Sequence, residues 1–454
     1  MKKGLILFFL VFVGISLTAC HNDLPDGKTY NIVITNATIP PMMAILDVLE
    51  NENETYMWYG RKNTFIDIDN FGENMTFIGD PKNQEEVPGI KPEVLSEMKN
   101  IVLDLYITSK ETANFNLYVV DYGIKVALQI FIEQGIKEEN YQVFLLEDGS
   151  GSYEQFNQAG YAASDGKTVF DAKVAELDQL IADIKQGGYT WGSAANMINW
   201  DLAFAYATKD NVEYWLQYPE IITSLDPAMQ AFLDDQGIHF VKKKLTPMFH
   251  ELSEDKQSIF QNAILDLNTF GPILNIDNGK QTLLVTGTSY DGEDQGFVTD
   301  LPTGDGELEI AMDYIIETYG DAYNIFFKPH PSWMPSLGDD MGVRWESVLG
   351  QSRPTEWEQI LRDRVDYFAD NNIVVLPGQT PIEAILWAFP EVKIGGYNSS
   401  LYMNASNEQV LFFILSANDF NLLSRPLPTI ILNNGLKHPQ TNENPLIIHP
   451  GLFS

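Results

Sequence analysis

The chain has 454 residues, with 28 Lys and Arg against 63 Asp and Glu, for a formal net charge of −35. So few cations argue against a nucleic-acid partner and against polybasic attachment to a membrane surface, since both draw their affinity from Lys and Arg. A content of 44% hydrophobic and 12% aromatic residues excludes wholesale disorder and leaves material for two or three packed domains.

At the N-terminus, Lys2 and Lys3 precede an apolar run from Gly4 to Leu17. That run falls short of the ~20 residues that a membrane-spanning helix needs. It ends in Leu17-Thr18-Ala19-Cys20, which resembles a bacterial lipobox. The expectation is a signal peptide over 1–19, lipidation of Cys20, a tether over 20–29 and a lipid-anchored place in the bacterial cell envelope. Cys20 is the only cysteine, so no disulfide forms within the chain and no catalytic cysteine is available.

The first strand is expected over Tyr30–Thr35, followed by a turn at Asn36, Pro40 and Pro41 and a helix from Met42 to Leu49. Short strands are expected at Tyr56–Gly60, Thr64–Ile68 and Met75–Ile78, a helix at Pro92–Asn100, and strands at Ile101–Ile107 and Phe115–Val120. A helix over Ile124–Gln134 and a strand over Gln142–Leu146 continue the alternation. From about Asp171 to Leu267 the spacing of Val174, Leu177, Leu180, Ile181 and Ile184 turns helical, as it does in Met197–Thr208, Ala228–Asp235 and Gln257–Leu267. Strands and helices then alternate again: Leu283–Thr286, Leu308–Tyr319, Asn324–Phe327, Glu356–Asp363, Ile373–Leu376, Pro381–Ala388 and Val392–Ile394. The pattern predicts an α/β protein of two Rossmann-like domains about a cleft, with ligands at the carboxyl ends of parallel strands. The domains are expected over 30–204 and 205–422, with a tail over 423–454 that could pack back on the first domain.

Three segments put chemistry at strand ends. Glu147-Asp148-Gly149-Ser150 closes Gln142–Leu146, and because adjacent strand residues face opposite sides, only one of the two acids looks into a cleft. Lys328-Pro329-His330-Pro331 delivers a cation and an imidazole together at the end of a strong strand. Gly395-Gly396-Tyr397-Asn398-Ser399-Ser400 is expected as a glycine loop whose amides and hydroxyls suit a phosphate. Thr286-Gly287-Thr288 has the same strand–glycine character. Asp67-Ile68-Asp69 and the acidic loop Asp291–Asp294 lack the remaining ligands of a calcium loop, so no metal site is expected.

Taken in order, these segments resemble the bacterial sialyltransferases of glycosyltransferase family 80. The matching pieces are Glu147-Asp148-Gly149-Ser150, Thr286-Gly287-Thr288, Lys328-Pro329-His330-Pro331, Pro381-Ile382-Glu383 and Ser399-Ser400-Leu401-Tyr402. Tyr30 to Met43 also looks like the first strand and helix of that family. The resemblance implies a GT-B architecture with a deep central cleft, CMP-sialic acid as donor, a terminal galactoside as acceptor, inversion at the anomeric carbon, and neither cofactor nor metal. A monomer is expected. By the same resemblance Asp148 is the general base and His330 the acid toward the departing CMP phosphate. Ser399 and Ser400 hold that phosphate, Glu383 holds the ribose, and Gly287 and Thr288 with Lys328 lie on the nucleotide side. Acceptor contacts fall to Tyr290, Asp121 and Tyr122.

The chain departs from the family at Pro329, which replaces a glycine, and at Glu147, which replaces an Asp. A shortened loop at Ser289-Tyr290-Asp291 takes the place of an acceptor-binding Trp, and Asp121-Tyr122 stand about where a histidine is expected. Two other readings share the same layout: a transferase of another CMP-activated ulosonic acid, and a solute-binding lipoprotein.

Overall fold

The computed structural model describes residues 27–454 except 61–65, 81–89, 91, 162, 188–199, 226, 239, 266, 268–270, 272–273, 275–277, 288–306, 329–366, 369, 377–379, 398–399, 407, 415–445 and 449–454. The signal segment and Cys20 therefore lie outside the described residues, as does the helix expected over Glu356–Asp363.

The first half builds one seven-stranded sheet from β1 (Thr29–Thr35), β2 (Glu54–Tyr59), β3 (Met75–Phe77), β4 (Asn114–Val120), β5 (Tyr141–Leu146), β6 (Val212–Leu216) and β7 (Phe240–Lys242). All neighbouring strands run parallel, in the order β3-β2-β1-β4-β5-β6-β7. The central strands are nearly continuous runs of buried residues, as expected of a sheet covered by helices on both faces. One face carries α2 (Pro92–Thr108), α3 (Ile124–Ile132), α4 (Ser150–Gln158), α5 (Gly166–Lys185) and α6 (Trp200–Tyr206). The other carries α1 (Ile39–Asn51).

The helices α7 (Glu220–Leu225) and α8 (Pro227–Gln236) connect β6 to β7. Beyond β7, α9 (Leu245–Glu251) and α10 (Glu254–Leu265) lead toward the second sheet. That sheet comprises β8 (Gln281–Thr286), β9 (Tyr323–Lys328), β10 (Val374–Val375), β11 (Lys393–Tyr397), β12 (Val410–Ile414) and β13 (Leu446–Ile448), with α11 (Glu307–Tyr319) and α12 (Ile382–Ala388) as connections. Its order, β10-β9-β8-β11-β12-β13, is again fully parallel and repeats the winding of the first sheet. Both sheets reverse direction once, between β1 and β4 and between β8 and β11. A doubly wound sheet opens a ligand crevice at the carboxyl ends flanking that reversal.

One apolar cluster joins the halves, with Tyr118, Phe144, Trp215, Leu245 and Phe249 packing in the same body as Leu284, Phe326, Ile382 and Leu401. The seam is specific. Phe249 stacks on Trp387 at 4.8 Å, the Trp387 indole N–H donates to Thr246 at 3.2 Å, and the Thr246 hydroxyl donates to the Asn404 carbonyl at 3.1 Å.

Several sequence expectations change. Ile101–Ile107 is the second half of α2, not a strand, because Leu95, Met98, Val102 and Tyr106 fall on one buried helical stripe. Pro40 and Pro41 do not form a turn; they sit in the first turn of α1, where no intrahelical N–H is required. At Thr64–Ile68 the described residues form no strand: Ile68 opens a short 3₁₀ turn capped by the Asp67 carboxylate on the Asp69 amide. The helical reading of Asp171–Leu267 missed β6 and β7, so the first sheet ends at residue 242 and the boundary at 204/205 moves beyond it. Gly395 and Gly396 are strand residues of β11 rather than loop. Within the tail expected to pack on the first domain, Leu446–Ile448 pairs with β12 in the second sheet.

Candidate active site

The end of β5 separates its two acids. Glu147 is fully buried, and its carboxylate accepts from the Gln217 amide N–H at 2.8 Å, the Gln217 side-chain NH₂ at 2.7 Å and the Tyr153 hydroxyl. Burial drives its pKa up to about 7 against the lowering effect of those bonds. Asp148 is left half-buried just past the carboxyl end of β5. The next residue, Gly149, takes φ +58°, a turn that a glycine makes without the Cβ penalty, and α4 begins directly after it.

Asp121 follows β4 at the reversal point of the first sheet and is fully buried. Its carboxylate accepts from the Tyr214 hydroxyl at 2.5 Å, the Tyr122 amide at 2.7 Å and the Ser152 hydroxyl. Ser152 also accepts the Asp148 amide at 2.9 Å, so a single hydroxyl ties Asp121 to the backbone of Asp148. Burial is the main cause that raises the Asp121 pKa to about 7, and the nearby Asp148 charge adds to it. Asp121 and Tyr122, expected at the acceptor, are thus both buried. Asp121 stands behind Asp148, and Tyr122 meets Trp200 edge-on at 5.1 Å.

The second sheet presents its own set. Gly287, just past β8, donates its amide to the Lys328 carbonyl at 2.9 Å. That N–H belongs to the sheet ladder, and what Gly287 offers a ligand is its bare Cα and carbonyl. Lys328 ends β9, half-buried. Glu383, in the first turn of α12, is buried, which raises its pKa, while the Lys328 charge pulls in the opposite direction; the two groups therefore feel each other. Gly396 lies against the backbone of Thr286, and the Thr286 hydroxyl sits 3.2 Å from that of Tyr402. Ser400 opens the 3₁₀ turn Ser400–Met403 that comes next in the chain after β11 among the described residues. Gly287, Lys328, Glu383 and Ser400 are therefore delivered by neighbouring strand ends and the helix beside them. Thr288, Tyr290, His330 and Ser399 lie outside the described residues.

Three members of the site escaped the sequence reading: Ser152, Tyr214 and Gln217. Ser152 lies only two residues past the acidic turn, whereas Tyr214 and Gln217 became visible only with β6. Among the described residues, no group of three or more His, Cys, Asp or Glu is placed to hold a metal ion.

Burial of Glu147 and Asp121 has a consequence for stability. Each carboxyl titrates near 7 when folded and near 4 when unfolded. Between those values the folded state holds more protons, so stability falls as pH rises through about 4 to 7. Thermal unfolding scans should show the midpoint climbing by several degrees from pH 7.5 to pH 5.5. In Glu147→Gln, which is neutral throughout, the climb should shrink by about half.

The fold also has known counterparts. No protein-family model and no curated protein sequence matches the chain. Among solved structures, the chain is similar to a 2,6-sialyltransferase from Photobacterium sp. JT-ISH-224, solved with the donor product CMP and the acceptor substrate lactose. The TM-score is 0.60 at 15% identity, covering 93% of this chain and 78% of that one. It is also similar to the GT-B domain of a sialyltransferase from Photobacterium damselae, with TM-score 0.59, 16% identity and coverage of 92% and 99%. An alpha/beta-galactoside alpha-2,3-sialyltransferase from Photobacterium phosphoreum gives 0.57, 14%, 92% and 98%. Two doubly wound parallel sheets, their carboxyl ends carrying the polar residues described above, and these likenesses together give the protein the GT-B fold.

Proposed function

We propose that the protein is an inverting sialyltransferase that moves sialic acid from CMP-sialic acid to a hydroxyl of a terminal galactoside, in alpha-2,3 or alpha-2,6 linkage. The observation that carries the reading is the separation of Glu147 and Asp148: one acid is locked into the fold, and the other stands half-exposed at a strand end, backed by Asp121. Asp148 accepts the proton of the acceptor hydroxyl as that oxygen attacks the anomeric carbon. The bond to the CMP phosphate breaks on the opposite side, and negative charge gathers on the departing phosphate. Lys328, Ser399 and Ser400 stabilise that charge where it develops, and His330 donates a proton or hydrogen bond to it. Glu383 receives the ribose hydroxyls. The leader and Cys20 place the enzyme on the cell envelope by a lipid anchor.

Incubation with CMP-sialic acid and lactose should yield sialyllactose by mass spectrometry, and a panel of other CMP-linked ulosonic acids should give slower transfer. Lys328→Ala should weaken CMP binding about tenfold in calorimetry. A protein that neither binds CMP nor forms product would end this reading.

Asp121 is a positioning residue with a pH signature. When it ionises near pH 7 it places a second negative charge beside Asp148, which makes Asp148 the stronger base. The kcat/KM profile should therefore rise through a step near pH 7. In Asp121→Asn the step should vanish, with kcat down about tenfold and CMP affinity unchanged.

A further inference from the structure

Lys242-Lys243-Lys244 is the only run of three consecutive basic residues in a chain that holds 28 cations against 63 acids. It lies at the carboxyl end of the first sheet, where the Lys243 amide donates to the Leu216 carbonyl at 2.9 Å beside the end of β6. Lys243 covers the Trp215 ring at 4.5 Å on one face. On the other face Lys244 sits 4.1 Å from the centre of the Tyr218 ring and Lys242 5.8 Å from it. Against these two ammonium groups stands Glu220, which pairs with Lys242. Lys244 is half-buried, and its pKa is lowered first by burial and then by the Lys242 charge.

This cluster is wired to Glu147, the residue before the candidate base. The Tyr218 amide donates to the Tyr153 hydroxyl at 3.0 Å, and Tyr153 donates in turn to Glu147, the neighbour of Asp148. The Leu245 amide donates to the Gln217 side-chain oxygen at 3.4 Å, and Gln217 holds the same Glu147. Two strand spacings separate the ends of β5 and β7, about 10 Å along the rim. That is roughly the length of two linked sugars. Crowding like charges at the rim of a crevice costs stability, and a bound anion relieves that cost.

We propose that Lys242 and Lys244, over the Tyr218 ring, form an anion subsite for an acidic acceptor: a galactoside whose next sugar inward carries a carboxylate or equivalent negative group. The proposal rests on the assignment of Asp148 to the acceptor side. A strongly acidic chain repels anions in general, so a local pair of cations here discriminates in favour of acceptors whose charge lands on it.

Lactobionate and lactitol test it. Both carry a terminal galactose on an open-chain second unit, one with a carboxylate and one neutral. With CMP-saturated protein at low salt, lactobionate should bind about tenfold more tightly than lactitol in calorimetry, and kcat/KM should favour it by the same factor. In K242Q/K244Q both ratios should fall to near one, with lactitol binding and CMP affinity unchanged. Equal binding of the two ligands by the wild type, or a preference that survives in K242Q/K244Q, overturns the subsite. A binding preference without any transfer would keep the subsite and overturn the sialyltransferase reading, so the two failures are distinct.

Discussion

Asp148→Ala should lower sialyl transfer by about 10³-fold while leaving the Kd for CMP within about twofold. The size of the effect follows from the place of the residue. A carboxylate that takes a proton in the transition state contributes only while the acceptor hydroxyl is reacting, so its loss falls on kcat and spares ground-state binding of the nucleotide. The fold should tolerate the change. Glu147, rather than Asp148, carries the buried bonds to Gln217 and Tyr153, and the contact to Ser152 uses the Asp148 backbone amide, which alanine keeps. Single-turnover transfer to lactose, measured beside CMP calorimetry, separates the two quantities. An alanine variant that transfers at the wild-type rate would move the base to another residue.

Gly396→Ala is expected to cost about 3 kcal/mol or more, enough to leave the second sheet incompletely folded at 37 °C. A methyl group at this position would meet the Thr286 carbonyl oxygen, would come within 2.5 Å of the Thr286 nitrogen, and would sit on a residue at φ +132°. Thr286 is backbone of the neighbouring strand β8 and cannot move aside without breaking the pairing of Gly396 with it. Gly395→Ala should hurt for a different reason: its methyl group would press on the Phe412 ring, 2.7 Å from Cδ2, and a ring can turn where a backbone cannot. Urea unfolding of the two variants should rank Gly396→Ala as the more damaging.

The alternation of elements was readable because most strands are short runs rich in aromatic and branched apolar residues, and most helices repeat at the helical period. Reading failed where those signals conflict. The run Ile101–Ile107 is rich in residues favoured in strands, yet the helix starts at Pro92 and its buried stripe, which begins at Leu95, runs on through Val102 and Tyr106. Strand β6 (Val-Glu-Tyr-Trp-Leu) is five residues long and lies between helices, so a window wide enough to detect a helix averages it away. The acids, glycines and lysine of the site were legible as strand ends. Their support was not: Ser152 stands 31 residues from Asp121 in sequence and Tyr214 stands 93, and only the β4-β5-β6 pairing brings them together. Nor did an isolated Asp121 reveal whether it faces a ligand or the interior, because the side chain after a strand end can do either.

The strand Leu446–Ile448 lies at the outer edge of the second sheet, although most of the other strands of that sheet precede it by dozens of residues. During synthesis the first sheet has all of its strands once residue 242 has emerged, and it can pack while the rest is still being made. The second sheet must wait for residue 448. Until then β12 shows an open edge, with Phe412 and Phe413 beside unpaired backbone groups that another chain could capture. A stalled or clipped chain lacking the last strand would thus be prone to edge-to-edge association even with its first domain complete.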